Sequence, residues 1–434
     1  MTDRRRFWRF LLAIAAGALL LRVGYIVVAK SGEEPVGDQI YYHAQAGANA
    51  EGRWFRDATD DGPTAEHPPL TALALTPTSW VSEQLGNSNS VMAHRFTIAL
   101  FGVLAVVSIG LLGRRVGGDR AGLIAAGIAA LSPNLWVNDG LIMSEALATM
   151  SVALAILFAY RFASDPRLVT ATWLGATCGL AAMARQELLL LLPIMVVPVT
   201  IWIRALPIRR RFGLIAVAGV AAFVVVVPWV GWNLARFEKS TTFSTNDGIT
   251  VCGANLRRVY FGSGTGLWAL DCAGFDVPSG DRSVRSAALR QRGFEFIGDH
   301  LARLPVVVAA RVGRVWSIYA PSQMVGYNEG EGREPWVSWL GIVAWWVLVP
   351  IAAVGAVTLR RGGTMLWPLT SQLVIVTVTA AAVYGLVRFR IPAEVTVIVL
   401  AAVAVDALAR RRRGARSPPE PPVHSTPTRP DGER

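Results

Sequence analysis

The sequence predicts an all-α polytopic membrane protein with about ten transmembrane helices, interfacial helices and loops gathered on the outer face. Hydrophobic residues make up 53% of the 434-residue chain and charged residues only 17%, and a soluble fold of that composition would expose large apolar patches. Apolar runs close to the ~20 residues needed to cross a ~30 Å hydrocarbon core recur along the chain. The connections between them alternate between arginine-rich and arginine-poor, the asymmetry that orients membrane helices. The net charge of +12 is thereby accounted for by topology and implies no nucleic-acid partner.

The first run, 10–29, follows Arg4, Arg5, Arg6 and Arg9. It is long enough to span and no small-residue cleavage site precedes the polar loop, so it reads as a retained span, not a signal peptide. Further spans are expected at 92–112, 120–137, 142–161, 169–184, 188–204, 212–232, 338–358, 364–384 and 392–409. With the N-terminus in the cytoplasm, every even-numbered span ends at a basic connection. These are Arg114-Arg115 with Arg120, Arg161 with Arg167, Arg204 with Arg209-Arg210-Arg211, Arg360-Arg361, and Arg410-Arg411-Arg412-Arg413.

The outer face then receives the first loop, 30–91, tight turns near Asn138-Asp139 and at Arg185-Gln186-Glu187, the long loop 233–337, and a short loop at 384–391. Segment 304–320 is a candidate interfacial or re-entrant helix. Residues 1–409 form one transmembrane domain, and the 410–434 tail is expected to be disordered in the cytoplasm, because from Gly414 it is rich in Pro, Ser and charge. No internal repeat with a period of about 20–50 residues is evident. The Arg, Ala, Val and Gly bias with little Lys suggests a bacterial chain, hence a multi-pass protein of the plasma (inner) membrane with both termini cytoplasmic. Three cysteines exclude a disulfide scaffold. Cys178 falls inside an apolar span, whereas Cys252 and Cys272 share the long loop and are expected to form a bridge worth about 3 kcal/mol in an oxidising compartment.

Polar residues concentrate in the outer segments. The first loop reads Gly37-Asp38-Gln39-Ile40-Tyr41-Tyr42-His43 and then Ala65-Glu66-His67-Pro68-Pro69-Leu70. Asp38–Ala50 has the pattern of a helix lying on the membrane surface, with Asp38 where the helix dipole favours a carboxylate. On spacing alone, a helix cap is the simpler account of Asp38. The two prolines fix a second helix start.

These motifs have a wider pattern. Arg95 opens the second span, Gly113-Arg114-Arg115-Val116-Gly117-Gly118-Asp119-Arg120-Ala121-Gly122 forms the next cytoplasmic turn, and Ser132-Pro133 precedes Met143-Ser144-Glu145. Tyr384-Gly385-Leu386-Val387-Arg388-Phe389-Arg390-Ile391-Pro392 closes the series. In order and position the set resembles the GT-C superfamily of polyprenyl-phosphate-sugar-dependent glycosyltransferases, in particular the branch with protein O-mannosyltransferases and lipid A aminoarabinose transferases. The resemblance covers most of the chain. It implies transfer of one sugar from a polyprenyl-phosphate donor with inversion, and Asp38 as the general base that takes the acceptor's proton. Lipid A transferases typically carry Lys where His67 stands, so here a titratable group replaces a fixed charge beside the donor phosphate.

The departing phosphate calls for cationic donors already in place, preferably arginine. Arg185, Arg388 and Arg390 are expected at outer span ends and are the candidates, with snorkelling to headgroups as the alternative for each. Glu66, Asp139 and Glu145 are second carboxylates that, with Asp38, could take a divalent cation. No ligand spacing such as HxxxH appears, so no metal site is assigned. Tyr41, Tyr42, Asn246, Asn255 and Trp268 are acceptor-binding candidates, since rings stack on sugars and amides bond hydroxyls; turn chemistry explains the loop's Asn and Gly residues equally well.

The expected partners are a polyprenyl-phosphate sugar, a glycan, glycolipid or protein acceptor, and the bilayer. A ligase moving a whole lipid-linked glycan and a lipid or sugar transporter or flippase are the alternatives. Charges clustered at span ends rather than along a mid-membrane path disfavour transport. The identities of the sugar and acceptor are left open.

Overall fold

The structure, a computed structural model, describes residues 2–57, 60–86 and 90–414. Among these residues it is helical, and β pairing is limited to an isolated antiparallel bridge between Arg56 and Pro63. Helix α1 (Thr2–Ala29) opens the chain, α2 (Asp38–Ala50) and α3 (Leu70–Gln84) lie in the first long loop, and α4 (Val91–Gly117) follows. Then come α5 (Asp119–Leu131), α6 (Pro133–Asp139), α7 (Glu145–Ser164), α8 (Leu168–Ala184), α9 (Val197–Trp202) and α10 (Ile208–Arg236). The second long loop holds α11 (Asp247–Ala254), α12 (Arg257–Tyr260), α13 (Arg282–Asp299), α14 (Leu304–Val315) and α15 (Pro321–Gly330). Three final helices complete the bundle, α16 (Pro335–Arg361), α17 (Trp367–Ala382) and α18 (Ile391–Gly414). Of the tail expected to be disordered from 410, residues 410–414 instead continue α18 as helix; residues 415–434 lie outside the described residues.

Among the described residues six helices are long and apolar enough to cross a membrane: α1, α4, α7, α10, α16 and the one containing α18. The pair α5 and α6, bent by 57°, makes a seventh. The other three expected spans coincide with shorter apolar helices, α8, the segment Gln186–Trp202, and α17. The count of ten is therefore not reached on length and apolarity. For Gln186–Trp202 the cause is local. Pro193 and Pro198 each remove a backbone donor, and the segment passes through a 3-10 turn (Gln186–Leu190) and a π turn (Leu192–Val196) before α9 forms. The candidate re-entrant segment becomes α14, which at 12 residues is too short to span. Its Arg311 and Arg314 are buried and donate to the carbonyls of Ala254 and Thr265, tying the long loop to the bundle.

Close helix approach depends on small residues. Gly175 of α8 faces the Ala218 carbonyl of α10, and Gly355 of α16 faces the Leu400 carbonyl of α18; a Cβ at either glycine would collide with backbone. Helix α18 is the central post, with most of its apolar stretch buried, whereas most of the apolar stretch of α1, α10 and α16 is not. Around it Leu11, Ile98, Leu112, Leu147 and Ile398 form part of one continuous core.

At one end two of the basic connections are joined, where Asp406 pairs with Arg120 and Arg410. At the other end the two long loops interlock. Thr245 donates its amide to Ala65 O at 2.7 Å, Arg282 reaches both Glu66 and Asp57, and Gln39 donates to Glu331 O at 3.2 Å. A disulfide joins Cys252 to Cys272 with Cα atoms 6.1 Å apart. Cys178 is a free, buried thiol in α8.

Candidate active site

The site begins with Gly37, whose φ of 57° lies where only glycine is relaxed. That turn starts α2 and sets Asp38 as its first residue. Asp38 does not act as the cap, since Gly37 holds that position without a side-chain capping bond. Its carboxylate faces across to the far end of the sequence. Arg388 Nη2 donates to Asp38 Oδ2 at 2.7 Å, and His67 Nε2 lies 3.5 Å from Oδ1. Burial alone would push this carboxyl up, but the Arg388 and His67 charges beside it hold it well below the usual carboxylate range.

Arg388 is presented by a short 3-10 turn, Val387–Arg390, between α17 and α18. Its Nη1 donates to Glu331 Oε1 at 2.7 Å, and its buried Nε has no hydrogen-bond partner among the described residues. Glu331 caps the end of α15 and also accepts from Arg333. Arg333 Nη2 in turn comes within 4.0 Å of Glu145. Glu145 pairs with Arg185 at 3.2 Å, and Arg185 Nε bonds Glu187 at 2.6 Å. The result is an alternating chain of charges running from Asp38 to Glu187, in which each charge has a neighbour of opposite sign. Arg185 follows the end of α8, and its guanidinium lies 5.0 Å from the Phe389 ring centre.

His67 is held by the Pro68-Pro69 start of α3 and by aromatic rings. It stacks on Tyr42 at 5.0 Å and meets the edge of Tyr41 at 5.4 Å. Burial pushes the Tyr384 hydroxyl up to about 12 and raises that of Tyr42 as well, so both are neutral donors at physiological pH.

These groups open onto a cavity of about 800 Å³, within the size range of small-molecule sites. Of the residues singled out from sequence, Asp38, Tyr42, Glu66, His67, Arg185, Asn246, Trp268 and Arg388 line it. Tyr41, Asp139, Glu145, Asn255 and Arg390 do not. Tyr41 packs behind His67. Glu145 is buried behind Arg185, and Asp139 is sealed against Arg22 at 2.6 Å. Asn255 Oδ1 is taken up inside the loop by the Tyr260 hydroxyl and Arg311. The expectation that Arg390 faces the cavity is not met. Arg390 is fully buried, bonded to Glu394 and Ser317, with its guanidinium 4.2 Å from the Trp345 ring centre.

Sequence reasoning missed Glu331, Arg282 and Glu187 as lining residues. Nothing local distinguishes them from other loop charges; only their partners do. Among the described residues no group of three or more His, Cys, Asp or Glu side chains converges on one point. Arginine stands between the acids instead.

The family model for dolichyl-phosphate-mannose-protein mannosyltransferases matches residues 66–232. No sequence among the curated proteins matches. Among solved structures, the archaeal oligosaccharyltransferase AglB from Archaeoglobus fulgidus, in complex with an inhibitory peptide and a dolichol-phosphate, is similar with a TM-score of 0.57 at 12% identity, covering 95% of this chain and 52% of that one. The same organism's oligosaccharyltransferase in complex with Zn and sulfate is similar with a TM-score of 0.57 at 14% identity, covering 93% of this chain and 50% of the other. This chain thus spans about half the length of those enzymes. ArnT from Cupriavidus metallidurans bound to undecaprenyl phosphate gives a TM-score of 0.44 at 17% identity, over 93% of this chain and 78% of that one. The GT-C resemblance is met in the matched family model and in a GT-C-like fold of membrane helices.

Proposed function

We propose that this protein is a glycosyltransferase that moves a single sugar from a polyprenyl-phosphate donor to an acceptor hydroxyl on the extracytoplasmic face, with inversion and with Asp38 as general base. The observation that carries the reading is the 2.7 Å contact between Asp38 and Arg388 on the wall of one cavity. An acid able to take a proton and a cation able to receive a phosphate are adjacent there, and Arg185 lines the same space.

The donor is a phosphodiester with one negative charge, and the departing polyprenyl phosphate carries a second. Asp38 takes the acceptor proton as the acceptor oxygen bonds to the anomeric carbon. The bond from that carbon to the phosphate oxygen breaks, and its electron pair leaves with the phosphate. Charge therefore grows on the phosphate as the reaction proceeds, and cations fixed beforehand favour the transition state over the ground state. Arg388 and Arg185 fill this role.

In the resting site Asp38 is a weak base, because Arg388 is its direct partner. Donor phosphate competing for Arg388 withdraws that stabilising charge and raises the basicity of Asp38. Loading the donor thus prepares the base. The outward orientation is supported by the alternation of arginine along the sequence and by the Cys252–Cys272 bridge in the loop beside the cavity.

The test is to incubate purified Asp38→Asn and wild-type protein with a panel of polyprenyl-phosphate sugars and acceptors. Wild-type protein transfers or hydrolyses one donor and the variant does not, while inserting normally. Full turnover by the variant removes Asp38 from the mechanism. A second reading, transfer of a whole lipid-linked glycan, is favoured by a cavity of about 800 Å³, more space than one sugar requires. Lipid-linked oligosaccharides in the same panel separate the two.

A further inference from the structure

A second cavity of about 550 Å³ adjoins the first, and Trp268, Leu270 and Tyr327 line both. We infer that it is a binding subsite for neutral sugar units of the acceptor, so that the acceptor is a glycan chain reaching across the Trp268–Tyr327 wall. The assignment to the acceptor rests on the transferase reading above; the binding of sugar does not.

The dividing wall is fixed. Trp268 Nε1 donates to Ile249 O at 3.2 Å, the Tyr327 hydroxyl donates to the Trp268 carbonyl, and a Cβ on Gly253 would strike the indole. An immobile aromatic plane is a low-entropy platform for a sugar face, since little side-chain freedom remains to be lost on binding. Phe261 supplies a further ring to the cavity and is 40% exposed. Such exposure of a large apolar ring beside a cavity is what a ligand-facing position requires.

The polar groups suit hydroxyls rather than charges. Arg258 and Asp271 lie 3.5 Å apart at the rim with side chains 75% and 44% exposed, so their charges offset one another. Gln323 Oε1 is occupied by Arg314 at 2.8 Å, leaving the amide hydrogens as the donors that Gln323 brings to the cavity. Ser263 adds a hydroxyl. An anionic ligand would find its cation already paired, whereas a polyhydroxyl ligand finds donors, acceptors and ring faces. The contiguity of the cavities gives the occupant's direction, from the Asp38 side past Trp268 to Phe261.

The test is direct binding, by intrinsic tryptophan fluorescence and calorimetry on the full-length protein in detergent, of mannose, mannotriose, arabinose and arabinotriose. Wild-type protein is expected to bind a trisaccharide at least about tenfold more tightly than its monosaccharide. Phe261→Ala and Ser263→Trp, the latter filling the cavity from an exposed position, are expected to abolish that difference by weakening the trisaccharide, with thermal unfolding in detergent at the wild-type temperature. Equal affinity for mono- and trisaccharides of both series overturns the proposal. So does a Ser/Thr peptide that binds in the micromolar range and is lost in Phe261→Ala. If trisaccharide binding behaves as expected but no donor is ever turned over, the sugar subsite stands and the transferase reading falls.

Discussion

The ion pairs Arg22–Asp139 and Arg388–Asp38 have nearly the same length, 2.6 and 2.7 Å, yet they occupy regions of different kind. Arg22 is fully buried between helices, donates also to the Ala18 and Ala130 carbonyls, and the space beside Asp139 is too small to admit a water molecule. Asp38 keeps 27% of its side chain exposed on a cavity of about 800 Å³. A sealed pair has no third party with which to exchange, so it locks α1 to α6. A pair on a cavity wall can trade one partner for a ligand. Access to a cavity, not pair length, is what distinguishes the two pairs.

Asp38→Asn and Asp139→Asn test that distinction most severely. Asp38→Asn is expected to lower kcat by roughly 10²- to 10⁴-fold, the range for loss of a positioned base, with thermal stability in detergent close to wild type. Asp139→Asn is expected to do the opposite. It leaves Arg22 buried without its counter-charge, at a cost of about 3 kcal/mol or more, while the folded fraction keeps wild-type kcat. If Asp139→Asn lowers kcat as far as Asp38→Asn at normal stability, the two regions are not different in kind.

The next largest effect sharpens the comparison within one turn. Arg388→Ala is expected to reduce kcat by about 10²- to 10³-fold, as removal of a preorganised charge-stabilising donor does. Arg390→Ala is expected to appear chiefly as lost stability, since its removal leaves Glu394 buried with only Asn134. Transfer assays and thermal unfolding on the same preparations read both quantities. Equal loss of kcat in the two variants would mean that Arg390 reaches the donor after all.

That contrast also marks what was legible in the sequence. The apolar runs, the helix beginning at Asp38 and the start of α3 after Pro68-Pro69 follow from local patterns plus one rule of charge asymmetry, whereas the gathering of Asp38, His67, Arg185 and Arg388 is expected only through the family resemblance and the chemistry it implies. Arg388 and Arg390 could not be told apart, because that depends on the turn carrying them. At about 120° per residue in a 3-10 turn, side chains two positions apart point to well-separated directions; Arg388 faces the cavity and Arg390 faces Trp345. Glu331 was invisible for a different reason. It lies 57 residues before Arg388, in a loop whose fold is set by tertiary contacts. For one of the three short spans, Gln186–Trp202, the shortfall had a local signal, prolines at 193 and 198, but their effect depends on neighbours able to accept a broken helix.

A smaller effect is expected from the covalent tie in the long loop. Replacing Cys252 and Cys272 together by Ser should destabilise the loop by about 3 kcal/mol in the chain-entropy account, seen as earlier proteolysis between α11 and α13. Trisaccharide binding near Trp268 should weaken before donor hydrolysis does, since the bridge supports the loop and not α2 or the Arg388 turn. Donor hydrolysis failing first would place the loop closer to the chemistry than the cavity wall suggests.

The smallest effect is a displacement between two pH profiles. In the free protein the Asp38 carboxyl sits well below its usual range because Arg388 and His67 outweigh burial. A depressed carboxyl stays ionised above its own pKa and is lost as a base only when pH falls through that low value. The acid limb of kcat/KM, which reports the free enzyme, should therefore lie below the ordinary aspartate range of about 3.9. With donor bound, Arg388 faces phosphate and Asp38 gains an anionic neighbour, so its pKa rises. The acid limb of kcat should then lie at higher pH than that of kcat/KM, by about one unit for each ~1.4 kcal/mol of stabilisation that Arg388 transfers to the phosphate. The donor phosphodiester remains ionised throughout this window and contributes no limb of its own. Coincident acid limbs would mean that Arg388 stays with Asp38 through the catalytic cycle, leaving Arg185 as the phosphate's cation and making the Asp38 pair structural, as at Arg22–Asp139.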